Sequence, residues 1–179
     1  FRFRTSVLVM LLIVQMVPLE ALVIPMFIQA RSLHLLNSLL GLVVVYVAFS
    51  LPISIWMLRG FVAAVPKEIE EAAYVDGASW PRMFWSILFP LVAPGLVAVS
   101  VFSFVMAWNE FIFALTFNTD VDPTRYTAAV GLRRFFGQYA NDWGPIMAGS
   151  ALITAPVMVF FVLVQRRLST GLVAGAVKG

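Results

Sequence analysis

The chain has no cysteine, a single histidine and few charges, which occupy only 12% of its 179 positions. Without cysteine it can form neither disulfides nor thiolate metal sites. His34 has no companions at ligand spacing, so it reads as a solvated loop residue and not as a metal ligand. The shortage of charge excludes more. A soluble domain carries about 25% charged residues, whereas this chain is 61% hydrophobic with a mean hydropathy of +0.95. It has too little polar material to cover a surface facing water. A cytosolic enzyme, a nucleic-acid binder and a secreted disulfide scaffold are therefore excluded. The net charge is only +3 and the Lys and Arg residues are dispersed, so no nucleic-acid patch is implied. No Ser/His/Asp set or paired carboxylates suggest catalysis, and no enzyme is expected.

What is present is apolar sequence in long runs. A spanning helix needs roughly 20 such residues to cross about 30 Å of hydrocarbon, and four stretches qualify, at about 7–28, 39–58, 87–115 and 146–164. The first is broken by Pro18 and Pro25 and carries one acid, Glu20; the second has no charge and only Pro52 as a breaker. The third is long enough to tilt or to include an interfacial end. The expected fold is all-α, a polytopic membrane helical bundle forming one domain over 1–179. Basic residues near span ends stay on the cytoplasmic side. Arg2, Arg4, Arg59, Lys67, Arg82, Arg166, Arg167 and Lys178 fall on one side, against Arg31, Arg125, Arg133 and Arg134 on the other. Both ends of the chain are thus expected in the cytoplasm. The opening Phe1-Arg2-Phe3-Arg4 lacks both Met and the layout of a signal peptide, so the chain is expected to be a fragment.

The hydrophilic segment 59–86, between the middle two spans, is acidic in its first half. Pro66 suits the start of a helix. Glu68, Glu70 and Glu71 lie near the positive end of its dipole, and Gly77 is a natural stop. Ser79 can then cap a second helix with Pro81 in its first turn. The spacing predicts two short helices meeting at a Gly bend. A free helix of about ten residues is marginal in water, so the first needs a partner surface. Ala72 and Ala73 allow close approach, and Tyr74 and Val75 offer apolar contact. The plainer alternative, a helix resting on headgroups, fits poorly with three Glu residues.

Glu71-Ala72-Ala73, Gly77 four residues later, Ile87 and Pro90 resemble the EAA signature of permease subunits of binding-protein-dependent ABC importers. Phe89 stands where that pattern usually has Leu. The run 66–79, Trp108-Asn109-Glu110-Phe111 and the tail 171–179 are similar to the carbohydrate-uptake, maltose-type branch. The resemblance implies a type I ABC importer transmembrane domain in the bacterial inner membrane, lacking two N-terminal spans of the usual six. It implies that 59–86 is a coupling loop docking on a cytoplasmic ATPase dimer through Glu71, Ala72, Ala73, Asp76 and Gly77. It also implies a second homologous permease subunit, an extracytoplasmic solute-binding protein, a tail that reaches the ATPase, and a sugar or sugar-like solute. The chain has no G-x-x-x-x-G-K-[ST] phosphate loop, so no cofactor is expected on it; ATP and Mg belong to the ATPase.

Polar residues within the spans are the candidates for a solute pathway. Glu20 is a costly charge inside apolar sequence and must face protein or water. Asn109 and Glu110 come late in the third span beside Trp108, whose ring suits the headgroup region. Ser54 and Ser103, with Ser50 and Ser100, can bond sugar hydroxyls, although Ser in such helices often bonds its own backbone. The segment 118–145 mixes Asp120, Asp122 and Arg125 with Tyr126, Arg133, Arg134, Phe135, Phe136 and Tyr139, a composition common at protein interfaces; self-packing is the alternative. The rival functions are an ion-coupled secondary carrier using Glu20 or Glu110, and a non-transporting scaffold.

Overall fold

The computed structural model describes residues 3–119, 123–137 and 140–176, with side chains as far as Gln165. Arg2, Asp120, Asp122, Tyr139, Lys178 and the tail positions 177–179 lie outside the described residues, as do the side chains of Arg166 and Arg167. Among the described residues every regular element is helical, apart from one bridge between Phe136 and Asn141. This is what lipid demands, since a helix satisfies its backbone within its own segment. Among the described residues three helical runs are long and apolar enough to cross a membrane: Leu39–Ala63 (α3), Trp80–Asn109 and Trp143–Gln165. The last belongs to a helix, α9, that continues to Ala176.

The first expected span differs most. It consists of two helices, α1 (Arg4–Gln15) and α2 (Leu19–Ser32), that meet at 94°. Pro18 is the cause. It sits at the N-cap of α2 with an extended ψ of 130°, has no N–H to continue the ladder of α1, and disfavours the α conformation in the residue before it. Pro25 lies inside α2 without ending it. A single straight crossing over 7–28 is thus replaced by a bent pair.

The third span begins at Trp80, not at 87, and stops at Asn109, not at 115. Its first turn is α5 (Trp80–Met83), which passes through a π turn (Phe84–Leu88) into α6 (Phe89–Asn109). The second helix after the Gly bend is therefore the start of a span, not a short element. Beyond Asn109 the chain leaves the helix and resumes it as α7 (Ile112–Phe117). A five-residue helix, α8 (Ala128–Leu132), precedes α9 (Trp143–Ala176).

The chain groups into two compact units, Phe1–Pro52 with Phe104–Val159, and Ile53–Ser103 with Phe160–Gly179. In the first, α7 supplies the core: Phe113 is fully buried, and Ala114 and Phe117 pack with Ala30, Leu42, Val45 and Val130. Trp108 lies half-buried there, stacked on Phe104 at 5.5 Å and donating its indole N–H to the Ile153 carbonyl at 3.0 Å. α9 thus offers the indole of Trp108 an acceptor within the protein. In the second unit, α3 and α6 run antiparallel. The Ser54 and Ser103 hydroxyls lie 3.5 Å apart. One Cβ added at Gly95 would collide with the Phe61 ring, so only glycine permits this approach.

Candidate functional site

The acidic helix predicted from Pro66 onward is α4 (Lys67–Val75). Pro66 is its N-cap, in an extended conformation just outside the first turn, and Glu68 and Glu70 occupy that turn. The C-terminus closes in a Schellman arrangement. Gly77 N–H donates to the Tyr74 carbonyl and Ala78 N–H to the Ala73 carbonyl, both at 3.0 Å. Gly77 makes this possible with φ of +73°, a left-handed conformation that only glycine adopts without steric cost. Ser79 then stands at the N-cap of α5 with Pro81 in the first turn, although its hydroxyl makes no capping bond. The Asp76 N–H still bonds the Ala72 carbonyl at 2.9 Å.

Within α4, Ala73 is the one buried residue, 4% exposed. Glu71, Ala72, Tyr74, Val75, Asp76 and Gly77 are all exposed. A short helix with a marginal free energy of its own thus presents a carboxylate, a small residue and two apolar side chains outward. Its ends are fixed by Pro66 and Gly77.

The polar residues expected within the spans separate into different environments. Glu110 sits in the break between α6 and α7. Its Oε1 accepts the Phe113 N–H at 2.8 Å, and its Oε2 accepts the Ala114 N–H at 3.0 Å and the Tyr46 hydroxyl at 2.9 Å. The carboxylate therefore caps α7 and ties it to α3. Negative charge at a helix N-terminus is favourable, and charge-assisted bonds are the strong ones. Asn109 is exposed and donates to the Val105 carbonyl one turn back. Glu20 is exposed in the first turn of α2. Ser54 and Ser103 face each other, while Ser50 and Ser100 donate to the Val47 and Leu96 carbonyls of their own helices.

Tyr46 and Asn37 were not singled out from the sequence. Asn37, at φ of +55°, exchanges side-chain bonds with Thr119 at 3.0 and 3.2 Å and accepts on its carbonyl from Arg125 at 2.9 Å. Asn118 donates to the Arg125 carbonyl at 2.6 Å. These bonds join the loop after α2 to the segment after α7, beside a cavity of about 330 Å³. Nothing in one sequence links residues 64 or 82 positions apart. Tyr126, Arg133, Arg134 and Phe136 line a second cavity of about 340 Å³ with Leu115 and Val130. Phe135 is exposed. His34 is exposed at φ of +55° and closes α2, with its N–H on the Arg31 carbonyl and Leu35 N–H on the Ala30 carbonyl.

Residues 1–173 match the family described as binding-protein-dependent transport system inner membrane component. The chain is 48% identical over 164 residues to a Streptomyces antibioticus protein whose description is that of an ABC transporter permease, covering 92% of this chain and 71% of that protein. It is 41% identical over 179 residues to the diacetylchitobiose uptake system permease protein of Streptomyces coelicolor, covering 100% of this chain and 64% of the relative. It is 37% identical over 180 residues to the trehalose/maltose transport system permease protein of Thermococcus litoralis, again covering 100% and 64%. The chain thus spans roughly two thirds of the length of these relatives. It belongs to the family of inner membrane components of binding-protein-dependent transport systems.

Proposed function

We propose that this chain forms part of the permease of an ATP-driven importer for a sugar or sugar-like solute, and that α4 is the element through which a separate ATPase drives it. One observation carries the reading: α4 is a short helix with closed ends, held between two apolar spans, that buries only Ala73, half-buries Ile69 and Glu70, and exposes the run from Glu71 to Gly77 apart from Ala73. The relatives described as permeases for diacetylchitobiose and for trehalose/maltose support the solute class. Glu71 is the docking acid, Ala72 and Ala73 permit close approach, and Asp76 and Gly77 form the bend. ATP and Mg belong to the ATPase dimer, a homologous permease subunit completes the pathway, and a soluble binding protein delivers the solute. With α4 on the cytoplasmic side, both chain ends face the cytoplasm.

In this mechanism, closure of the ATPase moves α4 as a rigid body. The spans on either side follow, because α3 ends at Ala63, just before α4, and the next span starts at Trp80, just after it. Only interactions that differ between the two access states can drive such a switch. For solute contact, the proposal takes Glu20, Asn109 and the Ser54 and Ser103 hydroxyls, with Glu110 acting by fixing α7. Cysteines placed along α4 should cross-link to the ATPase in membranes, and Glu71→Lys should abolish ATP-dependent uptake while the protein stays in the membrane. Normal uptake by that variant, or uptake driven by a proton gradient without ATP, would overturn the reading.

A further inference from the structure

Four aromatic rings follow the Gly77 bend within twelve positions: Trp80, Phe84, Trp85 and Phe89. In an unbroken α-helix, residues five apart point about 140° away from each other, so Phe84 and Phe89 would diverge. Instead their ring centroids lie 6.4 Å apart. The reason is the π turn, in which Phe89 N–H donates to the Phe84 carbonyl five residues back. Pro90 accounts for that turn. It lacks the N–H that would reach the Ser86 carbonyl, and its ring would clash with that carbonyl in a regular α-helix. Trp80 stacks on Phe84 at 6.0 Å with planes 2° apart, and Trp85 meets Phe84 at 5.0 Å and Phe89 at 5.2 Å. The wide turn thus gathers the rings into one continuous ribbon.

That ribbon faces outward, with Trp80 and Trp85 each 63% exposed. Contiguous apolar surface of this kind marks a contact with something else, and helix length identifies the contact. α6, from Phe89 to Asn109, has 21 residues. At about 1.5 Å per residue this is about 31 Å, the thickness of the hydrocarbon layer. With Asn109 set at the far boundary, Phe89 falls near the other, Trp85 about 6 Å beyond it among the headgroups, and Trp80 further toward their outer edge. Trp is favoured in that layer. Arg82, exposed one turn before Trp85, supplies a cation for lipid phosphate. By contrast α4, with Glu68, Glu70 and Glu71, carries the wrong sign for an anionic membrane surface.

We propose that Trp80, Phe84, Trp85 and Phe89 form an anchor seated among phospholipid headgroups, which sets the depth of α4 relative to the bilayer. The consequence for α4 rests on the coupling role proposed above, whereas the lipid contact does not. The chain lacks cysteine, so Trp80→Cys, Trp85→Cys, Phe89→Cys and Tyr74→Cys each offer one site for a nitroxide. The labels are read in the full-length chain, assembled with cysteine-free partners in phosphatidylcholine/phosphatidylglycerol vesicles without ATP. The ratio of collisions with oxygen to collisions with a water-soluble nickel chelate should rise from position 80 through 85 to 89, with the lowest oxygen collision rate at 74. Nickel dominance at all four positions would overturn the anchor. So would exclusion of both reagents at 80 and 85, which would mean that a protein subunit covers the ribbon. Replacing Trp80 and Trp85 together by Ala should lower ATP-driven uptake several-fold, with Phe at both positions restoring it; full uptake by the Ala pair would overturn the role in positioning α4. Because the collision readout is taken at the ribbon and not at the contact between α4 and the ATPase, its failure is distinct from failure of cross-links between α4 and that partner.

Discussion

Two short helices interrupt the spans of this chain, and they solve the same problem in opposite ways. α7 has six residues and α4 has nine, and neither length is stable on its own. α7 finds its partners within the chain: Phe113, Ala114 and Phe117 are buried, and Glu110 caps it while holding Tyr46. α4 buries Ala73 alone, half-buries Ile69 and Glu70, and leaves Glu68, Glu71, Tyr74 and Val75 outside. Burial in one helix and exposure in the other distinguish a part that holds the fold together from a part left available for another molecule. Substitutions in α7 should therefore act on stability, and substitutions in α4 on transport.

The sharpest test of the contrast is Phe113→Ala, which opens a cavity at a fully buried position and should cost about 3–5 kcal/mol. Thermal unfolding in bilayers measures it, and an unchanged melting point would remove α7 from the core. Glu110→Ala strands two backbone N–H groups and the Tyr46 hydroxyl, with an expected loss of about 3 kcal/mol; Gln should recover only part, since its amide keeps one acceptor oxygen. A Cβ at Gly77 meets no neighbour, so the expected loss for Gly77→Ala is the left-handed backbone penalty of about 1–2 kcal/mol, with uptake lost as α4 comes out of register. His34→Gly removes the same penalty at the end of α2 and should stabilise by about 1 kcal/mol. At the small end, Glu71→Lys on the exposed face should change stability by less than about 0.5 kcal/mol while eliminating uptake. A large loss of stability in that variant would blur the division between the two helices.

Legibility followed the range of the interactions. The long apolar runs and α4 were visible because their causes are local: hydrophobic length, Pro66, the acids of the first turn and Gly77. The break at Glu110 was hidden, since the surrounding sequence is apolar without Pro or Gly, and one of the three bonds that hold the carboxylate comes from Tyr46, 64 residues away. Pro18 was visible as an interruption, but the 94° bend was not, because a proline permits many exit directions and packing chooses among them. The π turn had a visible cause in Pro90, yet only the backbone register reveals that Phe84 and Phe89 share a face. His34 was read as an unconstrained loop residue; its place in a helix-closing motif carried no glycine to announce it.

The contact between Phe61 and Gly95 has a mechanical consequence. The ring fills the notch where a side chain at position 95 would stand, so the helices entering and leaving α4 are keyed together like teeth in a rack. Sliding one past the other by a residue would drive the ring into neighbouring side chains. Under the coupling proposed for α4, a push delivered between them would be shared by both shafts rather than lost as sliding.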